Sequence, residues 1–145
     1  MKVNGRVMGV EDFDRAIEQL DSRQARNALR RATSQATQPV VKRARELFDR
    51  NVGRQTGVGR KSIKKRNLKK RERDQLGLDM ATMVYIANDG FYGRFWEMGF
   101  TRRGQHFAAR PFLRPAASST QSEVIERFGA RAGKIIEREA AKRGK

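Results

Sequence analysis

The sequence predicts an α+β fold: a small antiparallel β-sheet of three or four strands, packed by a long kinked helix and a C-terminal helix, with a projecting basic β-hairpin. Three observations predict it. Apolar residues recur at helical spacing over residues 22–48 and 120–143. Residues 80–87 are apolar on both faces, as a central strand is. Nine basic side chains crowd residues 60–73 against Glu72 alone, and their mutual repulsion keeps that segment out of a core. With 145 residues there is room for one core, and 37% apolar against 34% charged makes it small for the length. Residues 1–145 are therefore read as a single domain, with an arm of residues 60–88 standing off it.

From the N-terminus, Val3 and Val7 among polar neighbours, punctuated by Gly5 and Gly9, give a short edge strand over residues 2–8. Val10, Phe13, Ile17 and Leu20 then mark a first helix over residues 11–21. Ser22 caps a second helix whose apolar face runs through Ala25, Leu29, Ala32, Ala36, Val40, Ala44, Leu47 and Phe48. Its length is roughly 40 Å at 1.5 Å per residue. Pro39 removes an amide donor and crowds the carbonyl of Gln35, so a kink or break is expected there. Residues 51–60, rich in Gly, Gln, Thr and Arg, form a loop.

Residues 62–70 pair antiparallel with the alternating strand 80–87 across a turn at Leu76–Leu78. Phe91, Tyr92, Phe95 and Trp96 have the i, i+1, i+4, i+5 spacing of a short core helix, capped by Asn88 or Asp89 and ended by Gly99. A polar, basic loop follows. Pro111 and Pro115 fix an extended run over 110–115 with Phe112 and Leu113 inward. Thr120 and Glu123 make a capping box for the last helix, whose face continues through Val124, Phe128, Ala132, Ile135 and Ile136 to about Arg143.

Composition excludes several chemistries. Without cysteine there is no disulfide, and His106 alone cannot assemble a zinc site or a catalytic triad, so no metal or cofactor is expected. No apolar run has membrane-spanning length and the N-terminus has no signal-peptide core, which gives a protein soluble in the cytoplasm where it is made. The stretch from Gly53 to Ser62 imitates a phosphate-binding loop but lacks Gly directly before Lys61 and follows a helix instead of a strand. Glu97 has no recognisable catalytic partner. It is read as an ion pair with Arg94, Arg102 or Arg103 that fixes the following loop, and no catalytic residue is assigned.

The net charge of +17 favours phosphate backbones or an acidic protein partner. The basic arm, with Arg60, Lys61, Lys64, Lys65, Arg66, Lys69, Lys70, Arg71 and Arg73, is assigned to contact with DNA or an acidic protein ring, in preference to a merely solubilising surface. No helix-turn-helix, zinc-finger or RNA-recognition signature accompanies the charge, which argues against base readout.

Tyr92, Phe95, Trp96, Glu97 and Gly99, a basic loop, and then Pro-Phe-Leu-Arg-Pro-Ala at 111–116 stand in a telling order. Earlier, Thr56, Gly57, Ser62 and Ile63 follow a Thr-Gly-x-Leu-x-x-Ser-Ile pattern in which Gly59 replaces Leu. Met98 stands where an aromatic is usual, and Phe100 where Thr is usual. Together these resemble the gene-product-ten-like neck or tail-completion (head–tail joining) proteins of lambdoid long-tailed bacteriophages. The resemblance implies a non-enzymatic virion structural protein, made in the host cytoplasm, that forms a homo-oligomeric ring at the head-proximal end of the tail. A hexamer is favoured and a dodecamer is the alternative. Its neighbours would be head-closure or connector, tail-terminator or tail-tube proteins, with packaged DNA as a further contact and no membrane. The subunit interface it implies comprises Tyr92, Phe95, Trp96, Glu97, Gly99, Arg102, Arg103, Pro111, Phe112, Leu113, Arg114 and Pro115. The competing reading is a basic nucleic-acid-binding protein of ribosomal or nucleoid type, acting through phosphate contacts.

Overall fold

A computed structural model describes residues 23–53, 57–78 and 80–143. The strand expected over residues 2–8, the helix over 11–21, the Ser22 cap and Thr56 lie outside the described residues.

The long helix expected after residue 22 is two helices, α1 (Arg23–Ala36) and α2 (Gln38–Asn51). They divide at Thr37, two residues before Pro39. The proline ring takes away the amide that would have bonded Gln35, and the chain restarts with Pro in the first turn, where no amide is needed. Thr37 patches the joint, its amide and its hydroxyl both donating to the Thr33 carbonyl at 3.2 and 2.8 Å. Of the apolar face anticipated for this stretch, Ala25, Leu29, Ala32 and Ala36 on α1 and Ala44, Leu47 and Phe48 on α2 are buried, whereas Val40 is half-buried and the neighbouring Val41 is the valine in the core.

β1 (Ile63–Asn67) pairs antiparallel with β2 (Thr82–Ile86), Ile63 opposite Ile86 and Asn67 opposite Thr82. Gly57 caps the short helix α3 (Val58–Ser62) that leads into β1. Gly59 of that helix is buried where any side chain would collide, since a Cβ there would lie 2.4 Å from the Phe48 ring. The arm differs from a simple hairpin, because α4 (Lys70–Leu76) stands between its strands. Nor does all of it project. The Arg45 guanidinium donates to the Ile63 carbonyl at 2.8 Å and the Lys65 ammonium to the Ser34 carbonyl, which tie β1 to α2 and α1; α4 is the part that buries no residue.

After a 3₁₀ turn at Asn88–Gly90 comes α5 (Gly93–Met98), which starts after Tyr92 with no side-chain cap, in place of the cap expected from Asn88 or Asp89, and is ended by Gly99 as expected. β3 (Phe100–Arg102) and β4 (Gln105–Phe107) then form a tight hairpin where a loop was expected. Its central residues Arg103 and Gly104 have φ of 51° and 77°, the double positive φ of a type I′ turn whose twist matches paired strands. The strands among the described residues therefore make two separate two-stranded sheets, in place of the single sheet of three or four expected from sequence.

A second correction concerns residues 110–115, which do not continue as an extended run. Helix α6 (Leu113–Arg143) begins at Leu113, seven residues before the anticipated capping box, and spans 31 residues, about 46 Å. Pro115 falls in its first turn, where a missing amide costs nothing. Thr120 does not cap it; its hydroxyl is buried in the helix and donates to the Ala116 carbonyl at 2.6 Å. The helix runs antiparallel to the α1–α2 pair. At its start, Phe112 and Ala116 join the core of Val41, Ala44, Leu47, Phe48, Ile63 and Ile86; farther along, Ala132 packs with Ala25 and Leu29. The Phe112 ring meets Phe48 edge-on at 5.0 Å.

Candidate interface site

Glu97 organises this region through the backbone. Its carboxylate accepts the amides of Phe112 at 2.7 Å, Leu113 at 2.9 Å and Arg114 at 3.1 Å. Pro115 has no amide, and Ala116 closes the first intrahelical bond to the Phe112 carbonyl at 3.3 Å. Every donor at the start of α6 is thus accounted for, with a negative charge at the positive end of the helix dipole. The ion pair expected with Arg94, Arg102 or Arg103 is replaced by this cap, and Glu97 itself is buried. The segment before α6 is fastened on both sides: the Arg110 amide donates to the Trp96 carbonyl at 2.7 Å, and the Asn51 side-chain amide to the Pro111 carbonyl at 3.0 Å. Gly99, with φ of 78°, sits where a Cβ would lie 3.0 Å from the Ala109 amide nitrogen, so glycine lets the chain return beside α5.

On this base the aromatic stretch shows two faces. Tyr92 packs against the main core, while Trp96 turns to the hairpin, meeting Phe100 at 5.0 Å and Phe107 at 6.2 Å. Phe100 and Phe107, opposite each other in the β3–β4 register, stack at 4.8 Å. The outer face holds Phe91, Phe95 and Met98, exposed by 59, 48 and 68%. Together they make an exposed apolar stripe at i, i+4 and i+7, the kind of surface from which interaction sites are drawn. The expectation that Phe91 and Phe95 are core is therefore corrected.

Exposed cations lie in the same stretch of chain, two of them turned to the protein: the Arg94 guanidinium donates to the Ile86 carbonyl and that of Arg110 to the Asn51 carbonyl, both at 3.4 Å. Arg94, Arg102, Arg103 and Arg110 are exposed, and the Arg110 guanidinium lies 5.0 Å over the Trp96 ring. Of the other residues assigned to the interface, Arg114 is exposed; Pro111, Leu113 and Pro115 are half-buried, and Phe112 is fully buried and supports the site from beneath. Phe91 and Met98 were not assigned from sequence, although their spacing to Phe95 was there to be read.

The basic arm is more internally engaged than its composition suggests. Arg60 pairs with Asp49 at 2.6 Å, Arg66 holds Glu72 through two bonds at 2.7 and 2.8 Å, and Lys70 pairs with Asp74 at 2.8 Å. The Arg66 guanidinium, together with the Lys69 amide at 2.8 Å, holds the Glu72 carboxyl down at about 2. In return Glu72 raises the Arg66 pKa, while burial lowers that of Lys65. Lys61, Lys64, Lys69 and Arg71 are exposed and Arg73 half-buried, so the outward charge is concentrated on part of the predicted set.

Among the described residues no three acidic or histidine side chains are grouped to hold a metal ion. No helix among them is long and apolar enough to cross a membrane. Neither a family model, nor a curated protein, nor a solved structure matches the chain.

Proposed function

We propose that this chain is a non-enzymatic structural protein of the bacteriophage neck, copies of which close into a ring that completes the tail and joins it to the head. The observation that carries the reading is the open stripe of Phe91, Phe95 and Met98, beside a basic hairpin on a base locked by Glu97. A ring subunit needs a preorganised apolar seat with a charged rim, repeated by rotation until the contacts close. A hexamer is the favoured ring and a dodecamer the alternative. Tail-terminator, tail-tube and head-closure or connector proteins would flank it, and the exposed cations of the arm would face packaged DNA or an acidic neighbouring ring. It would act in the virion after assembly in the host cytoplasm.

The test is the mass of the purified protein in solution together with negative-stain images. Ring-shaped particles of defined mass, or incorporation into phage, support the reading. A monomer that coats duplex DNA and never enters virions would overturn it in favour of the nucleic-acid-binding alternative, whose supporting feature is the net charge of +17.

A further inference from the structure

We propose that the outer edge of β2 is a second contact between copies, in which Thr82–Ile86 pairs antiparallel with the same strand of another copy about a twofold axis at Val84. The inference rests on the ring reading and goes beyond it, because a like-to-like contact couples one ring to another, face to face. It starts from the direction of the backbone groups. The Ala87 amide donates to the Ser62 carbonyl at 2.8 Å and the Leu68 amide to the Ala81 carbonyl at 2.9 Å, so residues 81 and 87 point into the ladder with β1. The register between them is unbroken, from Ile63 opposite Ile86 to Asn67 opposite Thr82. Met83 and Tyr85 therefore point inward too, whereas Thr82, Val84 and Ile86 turn their amides and carbonyls away from β1. Arg94 meets the Ile86 carbonyl on that outer side, at 3.4 Å.

The two edges of this sheet differ in kind. On β1 the outward carbonyls of Ile63 and Asn67 accept from the Arg45 and Arg66 guanidinium groups at 2.8 and 3.4 Å, and Lys64, Lys65 and Arg66 set a run of charge along the strand. Such charges keep another strand away. β2 reads Thr-Met-Val-Tyr-Ile, with neither charge nor proline, and among the described residues no strand but β1 pairs with it and no group bonds the outward backbone of Thr82 or Val84. Two strands make a marginal sheet. A second β2 makes it four, with a closed β1 at each end, so association stops at a pair. Charge selects this occupant, because pairing through β2 holds the two runs of Lys64–Arg66 three strand spacings apart, about 14 Å, beyond a Debye length of about 8 Å. An edge of this size buries far less than the roughly 1,200 Å² of a lasting interface, so free subunits do not hold together by it. Edges repeated around two facing rings act together and do.

The experiment uses the full chain, which has no cysteine of its own, carrying Val84→Cys or Thr82→Cys. Each assembled variant is mildly oxidised and its chains are weighed by denaturing mass spectrometry. Opposed residues of a bonded antiparallel pair have Cα atoms about 5.5 Å apart, within disulfide reach. In the proposed register Val84 faces Val84, whereas Thr82 faces Ile86 and lies four residues, about 13 Å, from its own counterpart. Val84→Cys should therefore become a disulfide-linked dimer and Thr82→Cys should not. An unlinked Val84→Cys, as an edge covered by its own chain would give, or equal linkage at both positions overturns the proposal. The wild-type mass in solution separates this contact from the ring reading: twice the mass of one ring is expected, and Thr82→Lys, which sets a charge on the edge, should halve it. A single ring in the wild type, or a double ring untouched by Thr82→Lys, overturns the strand pairing and leaves the ring reading standing. A wild type that stays monomeric at all concentrations overturns both.

Discussion

At the scale of single residues, Glu97 contributes most, because one carboxylate satisfies three amides that would otherwise be desolvated without partners. Glu97→Ala should destabilise the fold by about 2–4 kcal/mol in urea unfolding, the combined cost of a lost charged cap and of unmet donors. Glu97→Gln keeps an acceptor and should lose about half as much; equal losses would mean that volume matters more than the cap. The sequence singled out Glu97 as a lone acid among aromatics and arginines, but its partners are backbone groups 15 to 17 residues away, and amides leave no trace in residue types. Glu72 yields a pH prediction. Its carboxyl is depressed from the ordinary 4.5 to about 2, so its contribution to stability is present above 4.5 and is lost as pH falls through about 2. Acid titration of wild type and Glu72→Gln by circular dichroism should show the wild type losing more stability across that window, while their difference stays constant above it.

At the scale of elements, what was legible followed hydrophobic period and proline. The break near Pro39 and the antiparallel pairing of Ile63–Asn67 with Thr82–Ile86 were both readable, because a missing amide and a two-faced apolar alternation act locally. The β3–β4 hairpin was not, since each strand has three residues and Arg103 occupies a left-handed position that sequence patterns reserve for Asn or Gly. The start of α6 was misplaced for a related reason: Glu97, a tertiary cap, outranks the local Thr120–Glu123 box, and proline in a first turn resembles proline in an extended run. Both elements invite measurement. Arg103→Asn should stabilise the hairpin by about 0.5–1 kcal/mol, because Asn tolerates the left-handed conformation that costs an arginine more. It should do so while weakening self-association, a combination that a purely structural arginine would not give. Phe112→Ala should cost about 3–5 kcal/mol, since the ring is fully buried against Phe48 and ends the core at the helix start.

At the scale of the whole molecule, charge and apolar surface answer to salt in opposite ways, and this separates the two functional readings. A chain of net charge +17 that acts by gripping phosphates releases counterions on binding, so its affinity for duplex falls steeply with salt. The arm limits that grip, because Arg60, Arg66 and Lys70 are already committed to Asp49, Glu72 and Asp74, leaving Lys61, Lys64, Lys69 and Arg71 among the cations turned outward. Copy-to-copy contact through the exposed Phe91, Phe95 and Met98, as proposed, would instead draw on burying apolar area, which salt does not screen. Sedimentation of the purified protein from about 0.05 to 0.5 M salt should therefore weaken self-association by no more than about tenfold, while duplex binding under the same conditions falls by several orders of magnitude. Phe95→Asp places a charge in the centre of the stripe and should abolish the assembled species at every salt concentration, leaving a folded monomer that still binds duplex as the wild type does. If assemblies persist in Phe95→Asp and vanish with salt alone, the copies are joined by charge, and the aromatic seat has no part in holding them.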